Sequence, residues 1–125
     1  MHAISRRAAL AAALLIGLAG TAAAHDPKPR HGGRIVHAGS FHVELVADGT
    51  RLDAFLVGHD DKPMSAQGYQ GVAILVLDGK SQRITLAPAA NNQLTGTAPA
   101  PVPGNAKAVV QITAPNGGTA QARFN

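Results

Sequence analysis

The chain contains no cysteine and no tryptophan, and only one tyrosine and three phenylalanines among its 125 residues. Without thiols there are no disulfides, so an exported domain of this composition must be held together by its core. Soft thiolate metal chemistry is excluded for the same reason, which leaves imidazole as the only good borderline ligand. Without tryptophan there is little aromatic surface on which to stack sugars or bases. Beyond Met1 the only methionine is Met64. A methionine-rich copper(I) site is therefore excluded, and one thioether would at most join imidazoles around an ion. No window sustains a helical period of apolar residues. No basic cluster is interleaved with aromatics, so the sequence gives no nucleic-acid signal.

The N-terminus reads MHAISRRAALAAALLIGLAGTAAAHD. Arg6 and Arg7 form a basic start, Ala8 to Ala19 an apolar stretch, and Ala22-Ala23-Ala24 a small-residue cleavage site. The apolar run is too short and too alanine-rich to be a spanning helix. Residues 1–24 are therefore expected to be a cleaved secretory signal that places the protein in the periplasm. The Arg6-Arg7 pair is a weak echo of a twin-arginine leader. Losing the leader removes two arginines, so eleven basic residues fall to nine against seven acidic ones and the formal charge falls from +4 to +2. Cleavage after Ala24 makes His25 the terminus, offering an α-amine and an imidazole to one ion. Cleavage after Ala22 would place His25 third, a position suited to square-planar copper(II) or nickel(II).

Residues 25–32, with two prolines and alternating charge, read as an extended tail, and residues 33–125 as a single domain. In that domain FHVELVA and RLDAFLV flank Asp48-Gly49, GVAILVL and KSQRITL flank Asp78-Gly79, and AKAVVQIT and TAQARF flank Asn116-Gly117. QLTGTA is a further strand candidate, followed by the proline-rich loop APAPVPGN. Seven or eight short strands predict an all-β fold, a small antiparallel β-sandwich of immunoglobulin-like or cupredoxin-like type. With Asp48-Gly49 as the central turn pair, Ala47 faces Thr50. Phe41, Val43 and Leu45 then share a core face with Leu52, Ala54 and Leu56. On the opposite, solvent face His42 lies across from Phe55 and Glu44 across from Asp53.

Five of the six histidines fall between His25 and His59. The spacing of His42 and Glu44 aims two ligands to the same side of a strand. His31 opens a His-Gly-Gly step whose glycines permit a sharp turn or a close backbone approach. His59 leaves the second strand beside a polar loop with Asp60 and Asp61. His37 shares the parity of Ile35 and reads as a core-edge residue. The expected ligands are, in order, His31 and His42, then His59, His25 and His37, with Glu44 as ligand or as the acceptor that orients a ring. The plain alternatives are a frayed tail for His25, a solvated strand face for Glu44 and Asp53, and a simple turn for Asp60-Asp61.

The pattern HGG-RIVHAGS-FHVELV followed by LVGHDDKPM resembles small exported proteins of heavy-metal resistance systems. It is similar to the N-terminal β domain of some periplasmic adaptor subunits of metal-efflux pumps. The shared features are His31-Gly32-Gly33, Gly39, Glu44-Leu45-Val46, the turn around Asp60 to Pro63, and the later ITLAPAANNQLTG. The resemblance implies a β-sandwich associated with metal efflux, but no helical hairpin of a full adaptor is present.

Three functions follow from these readings. The first is a non-enzymatic carrier, buffer or accessory that binds copper(II) or zinc(II). The second is an interaction module that docks onto an envelope or efflux-pump partner, with no metal. Catalysis is third: Ser40, His42 and Asp53 make a nominal triad, but no nucleophile-elbow motif supports it.

Overall fold

A computed structural model describes residues 27–125; the expected leader and His25 lie outside the described residues. Eight strands follow one another: β1 (Arg34–Ala38), β2 (Phe41–Asp48), β3 (Arg51–Val57), β4 (Gln70–Leu77), β5 (Lys80–Pro88), β6 (Gln93–Thr97), β7 (Ala108–Thr113) and β8 (Thr119–Phe124). There is no helix among the described residues. Every pairing is antiparallel, in the order β1-β2-β3-β6-β5-β4-β7-β8.

Turn chemistry sets the registers. Between β4 and β5, Asp78 and Gly79 are the two central residues, both with positive φ (52° and 78°), and Leu77 pairs with Lys80. That is the expected primed turn, whose backbone twist matches that of the strands it joins. The β2–β3 turn differs from the expectation. Asp48 pairs with Arg51, so Gly49 (φ 63°) and Thr50 are its centre. A glycine at the first central position, followed by a residue without positive φ, is the other hairpin turn. Moving the centre by one residue shifts each cross-strand partner by two. His42 therefore faces Val57 rather than Phe55, Glu44 faces Phe55 rather than Asp53, and Asp53 faces Val46. Because the shift is even, the faces keep their identity.

The core face is as the alternation demands. Phe41, Val43, Leu45, Leu52, Ala54 and Leu56 are all buried, together with Leu75, Leu86, Leu94, Val110, Ile112 and Phe124 from the other strands. Removing one such side chain, for example by Leu56→Ala, costs about 2–5 kcal/mol through lost transfer energy and cavity formation. The strands form one continuous sheet rather than two separate sandwich layers. Its halves, β1-β2-β3-β6 and β5-β4-β7-β8, are joined by a short ladder, Ala87 with Thr95 and Pro88 with Leu94. On the far side β1 approaches β8. There the Arg34 guanidinium donates to the Ala106 carbonyl and lies 5.5 Å over the Phe124 ring. The result is a nearly closed barrel. The loops between β3 and β4 and between β6 and β7 each send a buried side chain, Ala66 and Val102, into the core cluster.

Candidate metal centre

The outer face of β2 is not solvated, which corrects the expectation from alternation alone. His42, Glu44 and, on β3, Asp53 point away from the core, yet they are only 4%, 1% and 3% exposed. The segment before β1 and the loop after β3 lie against this face, and each buried polar group there needs a partner.

Glu44 finds three. Its Oε1 accepts from the Arg30 backbone N–H at 2.9 Å, and its Oε2 from those of His31 (2.9 Å) and Gly33 (2.8 Å). A β-carbon on Gly33 would stand 2.2 Å from the Leu45 carbonyl oxygen, so only glycine lets the chain pass this close to β2. Close approach, one of the two uses expected for the paired glycines, is what Gly33 supplies. Residues 27–33 lack regular structure, but they are pinned by this carboxylate rather than trailing free. The Arg30 guanidinium reaches on to the Asp61 carbonyl and ties the segment to the loop after β3. The His31 ring stacks on Phe55 at 3.7 Å with planes 9° apart. Asp53 is held by Arg51 Nε at 3.1 Å and by the Thr95 hydroxyl. Its oxygens therefore do not orient His42, and the nominal triad is not assembled.

Three imidazoles do meet. The two-residue turn at Gly39-Ser40 places His37 directly across from His42 in the β1–β2 ladder, and their ring centroids are 4.2 Å apart. After β3 the chain folds back on itself: Gly58 N–H donates to the Lys62 carbonyl and Asp61 N–H to the Gly58 carbonyl. This fold-back brings the His59 ring to 5.4 Å from His42 and 6.3 Å from His37. His42 is buried, whereas His37 and His59 form an exposed rim. His42 Nδ1 is buried without a hydrogen-bond partner.

The His42 imidazole is held below its ordinary pKa of 6.5, first by burial and then by its neighbours His37 and His59; the Gly58 backbone and the negative charge of Asp61 act in the opposite sense. His42 therefore resists protonation and favours the neutral form that coordinates metals. Nitrogens about 2.0–2.1 Å from a shared ion put imidazole centroids roughly 5 Å apart, a spacing that the three observed separations bracket. Among the described residues, no group of three or more His, Cys, Asp or Glu side chains stands in an arrangement that could hold a metal ion without side-chain movement.

The structure thus unites His37, His42 and His59 and leaves His31 on Phe55, lining a cavity of about 420 Å³ with Arg30, Asp61 and Asn92. His37, placed last from sequence, is the nearest ring neighbour of His42. Its signal was the Gly-Ser pair between RIVHA and FHVEL, itself a two-residue hairpin turn. Counting outward from Gly39-Ser40 gives His37 opposite His42. Comparison with protein-family models, with curated proteins and with solved structures gave no match.

Proposed function

We propose that the chain is a periplasmic metal-binding protein that takes copper(II) or zinc(II) through His37, His42 and His59. In that reading it acts without catalysis as carrier, buffer or accessory to metal efflux, with an efflux adaptor or another envelope protein as its partner. The observation that carries the reading is the meeting of three imidazole rings, the buried one of which, His42, has an unpartnered Nδ1. A buried polar atom without a partner costs free energy, and an ion accepting its lone pair removes that cost. The exposed rim supports a carrier, because His37 and His59 can turn inward on loading and outward on release. Glu44 serves this reading by fixing the segment beside the site rather than by binding the ion. Within this reading the two halves of the single sheet stand in for the two layers of the small β-sandwich, immunoglobulin-like or cupredoxin-like, expected from sequence.

The test is competition of the untagged protein with a chromophoric chelator for zinc(II) and copper(II). Losing His42 or His37 should weaken binding at least by the ~10–100-fold that changes around a metal site cost. Losing His59 should do the same, whereas His31→Ala should change little. Unchanged affinity in the double variant His37→Ala/His42→Ala would remove the proposal.

A further inference from the structure

The four strands β5-β4-β7-β8 contain no acidic residue. All seven acids of the chain lie at or before Asp78, while Lys80, Arg83, Lys107 and Arg123 follow it. The registers place Arg83 and Arg123 on one outer face, with Lys107 beside Arg123, whereas Lys80 pairs with buried Leu77 at the strand end and is not part of it. Ile74 lies opposite Arg83 on one side and Val109 on the other, and Val109 lies opposite Arg123. The result is a single cross-strand row: Arg83, Ile74, Val109, Arg123. Ile74 and Val76 are the large exposed hydrophobics among the described residues, at 36% and 63% exposure. With Lys107, Val109 and Arg123 they line a shallow groove of about 220 Å³. Among the described residues, the heads of Arg83, Lys107 and Arg123 have no hydrogen-bond or ion-pair partner.

From this face we infer a docking site for an acidic polypeptide segment that lies extended across the four strands. Strands are spaced about 4.8 Å apart, so the backbones of Arg83 and Arg123 are separated by roughly 14 Å. An extended peptide advances about 3.3 Å per residue, so acids four positions apart reach both arginines. The residue midway between them points the same way and, if apolar, enters the groove over Ile74 and Val109. The complementary pattern is acid-x-apolar-x-acid. A recessed apolar floor with cationic walls fits such a side chain better than it fits a flat lipid surface. A second copy of the chain offers no match: Glu44 and Asp53 are buried, and the remaining described acids, Asp48 at the end of β2 and Asp60, Asp61 and Asp78 in connecting loops, include no pair four positions apart.

The probe is the acetylated peptide Ser-Glu-Ser-Leu-Ser-Glu-Ser, titrated into the ¹⁵N-labelled protein and followed by amide chemical shifts. Saturable shifts confined to the strands around Ile74, Val76, Val109 and Arg123 are expected, weakening as salt is raised. The double variant Arg83→Gln/Arg123→Gln should weaken binding about fivefold, the sum expected of two exposed ion pairs, with other amides unmoved. Three results would overturn the inference. The first is a lysine-for-glutamate peptide that binds equally well. The second is the absence of peptide shifts alongside general broadening on phosphatidylglycerol vesicles. The third is movement of the same row with protein concentration alone, which would mean self-association.

Discussion

Replacing Glu44 separates two roles that its position beside His42 leaves open. Its carboxylate accepts three backbone N–H groups, from Arg30, His31 and Gly33. Hydrogen bonds to an ionised group contribute about 1.5–3 kcal/mol each. The three donors sit near the surface, where water replaces part of that and leaves about 1 kcal/mol each. Glu44→Ala should then cost about 3–5 kcal/mol, including the His31–Phe55 stack, an aromatic pair worth ~0.5–1.5 kcal/mol. Glu44→Gln keeps one acceptor oxygen but turns an amide donor toward other donors, so about 2–3 kcal/mol is expected. In urea, with a slope of about 1–3 kcal/mol per molar for a small domain, Glu44→Ala should lower the midpoint by roughly 2 M. Zinc(II) affinity of the folded variant should stay near that of the parent. A midpoint within ~0.3 M of the parent would refute the pinning argument. A Glu44→Gln protein with unchanged midpoint and lost metal affinity would instead make the carboxylate a ligand.

Three further outcomes follow from the same geometry. Because the folded-state pKa of His42 is lowered, the unfolded chain binds more protons below the ordinary value of 6.5, and stability should fall as pH drops from there. Urea midpoints between about pH 7.5 and 5 should show this loss, and His42→Gln should flatten it; a His42 ring that titrates at or above 6.5 by NMR would contradict it. Metal affinity should fall over the same acid range, since protons compete for imidazole; binding that is identical at about pH 7.5 and 5.5 would count against histidine ligands. Gly33→Ala should destabilise by about 1–3 kcal/mol through collision with the Leu45 carbonyl, read as a Tm about 4–8 °C lower per kcal/mol; a parental Tm would show that the approach is not tight.

The strands were legible because period-two alternation and turn residues coincide in this chain. The Asp78-Gly79 hairpin follows directly from its dipeptide. The same dipeptide at Asp48-Gly49 misleads, since glycine can occupy either central position of a two-residue turn. Moving the turn centre by one residue displaces partners by two and so preserves the inside and outside of both strands: the expected core face is the observed one, whereas Glu44 pairs with Phe55 instead of Asp53. Closure into a near-barrel was not legible. It depends on β6 inserting between β3 and β5, a pairing with no local signal. For the site, His42 and His59 were readable as candidates. Their union with His37 required the Gly39-Ser40 turn and the fold-back at Gly58. The burial of Glu44 was hidden because the covering segment, residues 27–33, has no periodicity to read.

The short join between the two halves of the sheet sets how the molecule opens. Only Ala87 with Thr95 and Pro88 with Leu94 form the β5–β6 ladder, and proline has no N–H to donate. Amides along this line should exchange with deuterium ahead of those in the β2–β3 and β4–β5 hairpins, as a local opening below the global unfolding energy. Each half then presents a bare strand edge, β5 on one and β6 on the other, and each edge is the complement of the other in a neighbouring molecule. At high concentration this line is the natural route to exchanged-strand dimers, so substitutions that tighten it should suppress aggregation without touching the histidines.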